Sequence, residues 1–67
     1  MKVGDKVKVS AGQHSVFNGC TGTVKEVVNS IMFSNTVVFD NLKLVAGIPY
    51  KQMVFSDDEL EIISEGS

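Results

Sequence analysis

The thiol of Cys20 and the imidazole of His14 are the first side chains of this sequence to weigh as nucleophile, general base or metal ligand. Each is the sole example of its type, so no internal disulfide and no His/Cys zinc cluster can be assembled. Activating a thiol takes a neighbouring cation or a helix N-terminus, whereas Cys20 stands between Gly19 and Thr21-Gly22, where a small side chain fills a turn. No carboxylate and hydroxyl recur around His14 to make a relay, and it reads as an exposed loop histidine. The acids Asp57, Asp58, Glu59 and Glu61 lack the alternating spacing and central glycine of a calcium loop. Gly19-x-x-Gly22 is not followed by Gly-Lys-Ser/Thr and a long helix, so it is no phosphate cradle. No catalytic residue, metal, cofactor or small-molecule substrate is expected from this set, and the protein is expected not to be an enzyme.

Charge narrows the partners. Six lysines stand against eight acids, with no arginine, for a net charge of −2. Residues 1–28 carry Lys2, Lys6, Lys8 and Lys25 against Asp5 and Glu26, whereas residues 29–67 are acidic. Nucleic-acid affinity rests on clustered cations that release counterions from phosphates. An acidic chain is a poor candidate, and the four N-terminal lysines are the patch that such a role would have to use. No apolar run is long enough for a membrane span or resembles a signal peptide, and the lone cysteine suits a reducing compartment, so a cytoplasmic protein is expected.

The elements that would position these groups follow a period of two. Val3, Val7 and Val9 alternate with lysines, and the register places Asp5 on the valine side. A polar loop over residues 10–18 follows, with Val16 and Phe17 as its apolar exceptions. The strand over residues 23–28 breaks alternation at Val27 and Val28, which predicts a bulge. A strand over 36–39 is expected to end at Asp40-Asn41, and another covers 50–55. Residues 42–48 have no firm assignment, and Pro49 argues against a central strand there. Ser56-Asp57-Asp58-Glu59 is a capping box with room for one 3-10 turn before the strand over 60–63. The expected fold is all-β: a small five-stranded SH3-like barrel over residues 1–63, with one 3-10 turn before the last strand and a flexible tail at 64–67. Its expected core is Val7, Val9, Val24, Val27, Val37, Phe39, Val54, Leu60 and Ile62.

The run Val3-Gly4-Asp5-Lys6-Val7-Lys8-Val9, followed by Gly19-Cys20-Thr21-Gly22-Thr23-Val24, resembles the opening of KOW-type SH3-like barrels. Val37-Val38-Phe39-Asp40-Asn41 and Phe55-Ser56-Asp57-Asp58-Glu59-Leu60-Glu61 are similar to the closing segments of small accessory barrels, such as the peripheral SH3-like subunit of photosystem I. The resemblance implies an SH3-like barrel that binds a partner. Its motif residues are turn glycines and core valines, so they speak to architecture. KOW domains that bind RNA usually carry basic residues beside the Gly-x-x-Gly turn, where this chain has Asn18. The aromatic groove of peptide-binding SH3 domains has no counterpart in a chain without tryptophan.

Ile31-Met32-Phe33 puts at least one large apolar side chain on the solvent side of a strand. With Val16 and Phe17 these form the candidate protein-binding residues: Val16, Phe17, Ile31, Met32 and Phe33. A protein–protein interaction or accessory-subunit module is therefore expected. The alternative is a KOW-like nucleic-acid or ribosome-associated module using Lys2, Lys6, Lys8 and Lys25. A small lone barrel of this kind would suit a phage or mobile element, or a subunit of a larger assembly.

Overall fold

The computed structural model describes residues 1–10, 15–29 and 33–66. Five antiparallel strands make one sheet: β1 (Lys6–Val9), β2 (Thr21–Val27), β3 (Asn35–Val45), β4 (Ile48–Phe55) and β5 (Leu60–Ser64). Their order is β4-β3-β2-β1-β5. This is the all-β, five-stranded plan expected, with a 3-10 turn at Asp57–Glu59 directly before β5. A second 3-10 turn, Ser15–Phe17, lies in the segment read as plain loop.

Alternation sorts the two faces. Cross-strand neighbours Val7, Gly22 and Phe39 share the inner face, as do Val24, Val37 and Met53, and Val9 with Leu60. The buried core is Val7, Val9, Phe17, Val24, Val37, Phe39, Phe55 and Leu60. Its aromatic centre is Phe17, stacked on Phe39 with centroids 5.6 Å apart and edge-on to Tyr50 at 5.4 Å and Phe55 at 6.2 Å. Three residues assigned to the core by sequence lie outside it. Val54 pairs with Thr36 on the outer face, Val27 follows the bulge, and Ile62 sits on an edge strand; all three are exposed.

The bulge itself forms where the broken alternation predicts it, between Val24 and Glu26. Gly22 lies in β2 rather than in a turn, and its place there is steric: a Cβ would lie 2.3 Å from the Val38 carbonyl oxygen and 2.8 Å from Val37 Cγ1. β2 and β3 can meet at that point only through a residue without a side chain.

The corner before β5 closes as a capping box. The Ser56 N–H donates to Glu59 Oε1 at 2.9 Å, and the Glu59 N–H donates to the Ser56 carbonyl at 3.1 Å. Asn35 opens β3 and is fully buried. Its Nδ2 donates to Asp57 Oδ1 at 2.6 Å and to the Phe55 carbonyl at 3.3 Å, which fastens β3 to this corner.

Two boundaries need correction. The terminal segment is not free: Ser64 belongs to β5, and the Gly66 N–H donates to Asp5 Oδ1 at 2.8 Å. Asp5 is buried as the alternation requires, and its other oxygen accepts the Lys2 N–H at 3.0 Å. Strand β3 does not stop at Asp40-Asn41. It runs on through Val45, turns at Ala46-Gly47 and returns as β4 through Pro49.

Candidate protein-docking surface

The second half of the β3/β4 hairpin stands apart from the sheet. Pairing of β2 with β3 ends at Gly22 opposite Phe39. The β3/β4 register jumps between Val38, opposite Gln52, and Lys43, opposite Tyr50. Four residues of β3 thus face one residue of β4, a wide bulge that bends the ribbon. Beyond it Lys43, Leu44 and Val45 pair only with Tyr50, Pro49 and Ile48. Ala46 and Gly47 have φ of 52° and 80°, the left-handed pair of a two-residue hairpin turn whose twist matches its strands.

Side-chain alternation gives this finger two unlike faces. Val45 and Tyr50 point inward and pack against the core. Leu42, Leu44 and Pro49 share the opposite face, exposed to water, with Leu42 and Leu44 at 60% and 65%; Ile48, opposite Val45, is 55% exposed at the tip. Residues 41–56 contain Lys43 and Lys51 and no acid, on a chain whose remaining residues sum to −4. A wedge of 220 Å³ opens where β2 parts from β3, lined by Gly19, Cys20, Thr21, Asn41, Leu42 and Lys43. That volume suits one side chain and falls short of the roughly 300 Å³ at which small-molecule sites begin.

The residues singled out by sequence are dispersed. Phe17 is no surface anchor; it is 97% buried at the centre of the aromatic cluster, because the turn Ser15–Phe17 folds it under β3 and β4. Its neighbour Val16 is exposed. Phe33 is half-buried in a left-handed backbone conformation, and Ile31 and Met32 lie outside the described residues. The lysines form no open basic patch. Lys6 Nζ is ion-paired with Asp40 Oδ1, and Thr21 Oγ1 donates to Asp40 Oδ2 at 2.9 Å. The Lys6 ammonium first and the Thr21 hydroxyl second hold the Asp40 carboxyl below the usual aspartate range. Lys8 stands opposite Glu61 on β5, so pairing of the first and last strands sets opposite charges side by side. Lys25 is exposed at the β2 bulge and Lys2 is exposed ahead of β1.

Among the described residues no three His, Cys, Asp or Glu side chains converge, and no helix is long and apolar enough to cross a membrane. Sequence reasoning passed over the finger because Pro49 argued against a strand. The signal was present in Leu42-Lys43-Leu44-Val45-Ala46-Gly47-Ile48-Pro49, an alternation folded around a two-residue turn ending in glycine. Comparison of the chain with protein-family models, with curated proteins and with solved structures finds no match.

Proposed function

We propose that this chain is a non-enzymatic protein–protein interaction or accessory-subunit module of the SH3-like barrel type, acting in the cytoplasm, with the β3/β4 finger as its docking surface. One observation carries the reading: Leu42, Leu44 and Ile48 are more than half exposed on a single projecting ribbon, in a small domain whose core is filled by other residues. Single exposed aliphatics are ordinary, whereas a grouped set on a projecting element marks a contact surface. The KOW-like nucleic-acid reading is weaker, since Lys6 and Lys8 are each set against an acid.

The test is capture of partners from the source cell on the immobilised protein, with and without nuclease, beside the variant Leu42→Glu with Leu44→Glu. Both side chains are exposed, so the variant is expected to melt within about 1 kcal/mol of the parent. It is expected to lose a nuclease-resistant partner. Partners that survive the leucine changes but vanish with nuclease, or with Lys6→Glu and Lys8→Glu, would favour the alternative.

A further inference from the structure

We propose that the open edge of β3 over residues 41–45 seats an added β-strand: an extended segment of a partner protein in which apolar side chains alternate with acidic ones. The inference rests on the docking role just argued and specifies the chemistry of its occupant.

The backbone supplies the first reason. β3 is an interior strand up to Phe39, flanked by β2 and β4, and becomes a free edge beyond it on the β2 side. In a two-residue hairpin the residues flanking the turn, Val45 and Ile48, exchange hydrogen bonds, and so does the pair Lys43 and Tyr50 two residues on. The pair between them, Leu44 and Pro49, does not. Proline therefore sits there without loss, and the Leu44 N–H and carbonyl point away from β4, toward the side on which β2 has parted from β3. Leu42, two residues earlier, lies at the end of the bulge and lines the wedge. Among the described residues no strand pairs with this edge. A segment laid along it would extend the sheet, with main-chain hydrogen bonds for affinity and alternate side chains for selectivity.

The side chains then dictate the occupant. Every second residue of an added strand would stand beside Leu42 and Leu44 on the exposed apolar face. The intervening residues would stand beside Lys43, which lines the wedge. The finger is acid-free and cationic while the rest of the chain is acidic, so an acidic segment is attracted to the finger and a basic one would be drawn elsewhere. The 220 Å³ of the wedge takes one side chain of such a segment.

A displayed library of random 12-residue peptides, selected on the whole chain, tests this without knowledge of the natural partner. The expected consensus alternates aliphatic and acidic residues. A synthetic consensus peptide is then measured by fluorescence polarisation, with backbone N-methylation at each position in turn. N-methylation at alternate positions is expected to weaken binding tenfold or more, and at the intervening ones little. Lys43→Glu is expected to weaken the parent peptide tenfold and to favour a basic counterpart. Amide exchange at Leu44 is expected to slow on binding. Failure of any alternating sequence to enrich, indifference to N-methylation, a proline-rich consensus, or self-association of the chain through this edge would each overturn the proposal. If the leucine variant still loses its cellular partner while N-methylation has no effect, strand addition falls and the docking role stands.

Discussion

Asp5 joins three segments through one residue. Its carboxylate accepts the backbone N–H groups of Gly66 and Lys2, and its own carbonyl accepts the Val24 N–H at 2.9 Å. The Gly66 hydrogen bond first and the Lys2 hydrogen bond second hold its carboxyl below the usual aspartate range, against the opposing effect of burial. The unfolded chain therefore takes up this proton at higher pH than the folded one. Stability from Asp5 is fully present above the ordinary aspartate pKa of about 3.9 and is lost as pH falls through the lower folded value. Asp40 adds in the same direction. Asp5→Asn is expected to lower the melting temperature at neutral pH and to flatten its fall on acidification, measured by circular dichroism from pH 6 to pH 2. An unchanged acid slope would remove Asp5 from this role. Gly22 and Cys20 give a second contrast. Gly22→Val must push Val38 and Val37 aside and is expected to cost about 3 kcal/mol or more, against less than about 1 kcal/mol for Cys20→Ser at a half-buried site. Thermal melts of the two variants decide it, and equal losses would mean that β2 and β3 do not meet as closely as described.

At the scale of elements, the β3/β4 turn has an alanine at φ 52°, a conformation that glycine adopts freely and asparagine more readily than alanine. Ala46→Gly, or Ala46→Asn, is expected to stabilise the domain by about 1 kcal/mol, read as a raised melting temperature with an unchanged denaturant slope. A loss instead would show that another turn type joins the strands. The elements also show where sequence reasoning reaches and where it stops. Val7, Val9, Val24, Val37, Phe39 and Leu60 are core because period-two alternation encodes the inner face directly. Ser56 and Glu59 are legible for a similar reason, since a capping box is local chemistry at fixed spacing. Phe17 was not legible: its burial comes from a 3-10 turn that folds it over distant strands, and nothing in the polar run around it encodes that return. Val54 failed because the inner face of β4 belongs to Met53 and Phe55, and Ile62 because alternation assigns a face while only the strand order tells which residues lie at an edge. Of the five candidate binding residues Val16 is exposed, and the finger was missed because a proline rule for central strands was applied to an edge strand.

For the molecule as a whole, charge arrangement outweighs charge count. The lysine-rich face of β1 is crossed by Asp40 from β3 and Glu61 from β5, so few cations are left to neutralise phosphates. Non-specific affinity scales with the number of phosphates neutralised, and each contact is weakened by salt. Affinity for generic RNA or duplex DNA at physiological salt is expected to be weaker than about 100 μM, with little further loss in Lys6→Glu with Lys8→Glu. A gel-shift titration across salt checks this. Tight, steeply salt-dependent binding abolished in the double variant would return the nucleic-acid reading to first place.

Gly4 and Gly66 approach so closely that a side chain on Gly66 would strike the Gly4 carbonyl carbon at 2.5 Å. The described backbone is therefore almost a ring. A short covalent join at this point would cost the folded state little while denying the unfolded chain the freedom to separate its ends. For a loop of this length that amounts to on the order of 4 kcal/mol. The same closeness lets the domain be carried as a cassette in a surface loop of another protein, its two attachment points side by side. It also lets the chain be reopened at Ala46-Gly47 with the order of the strands in space unchanged.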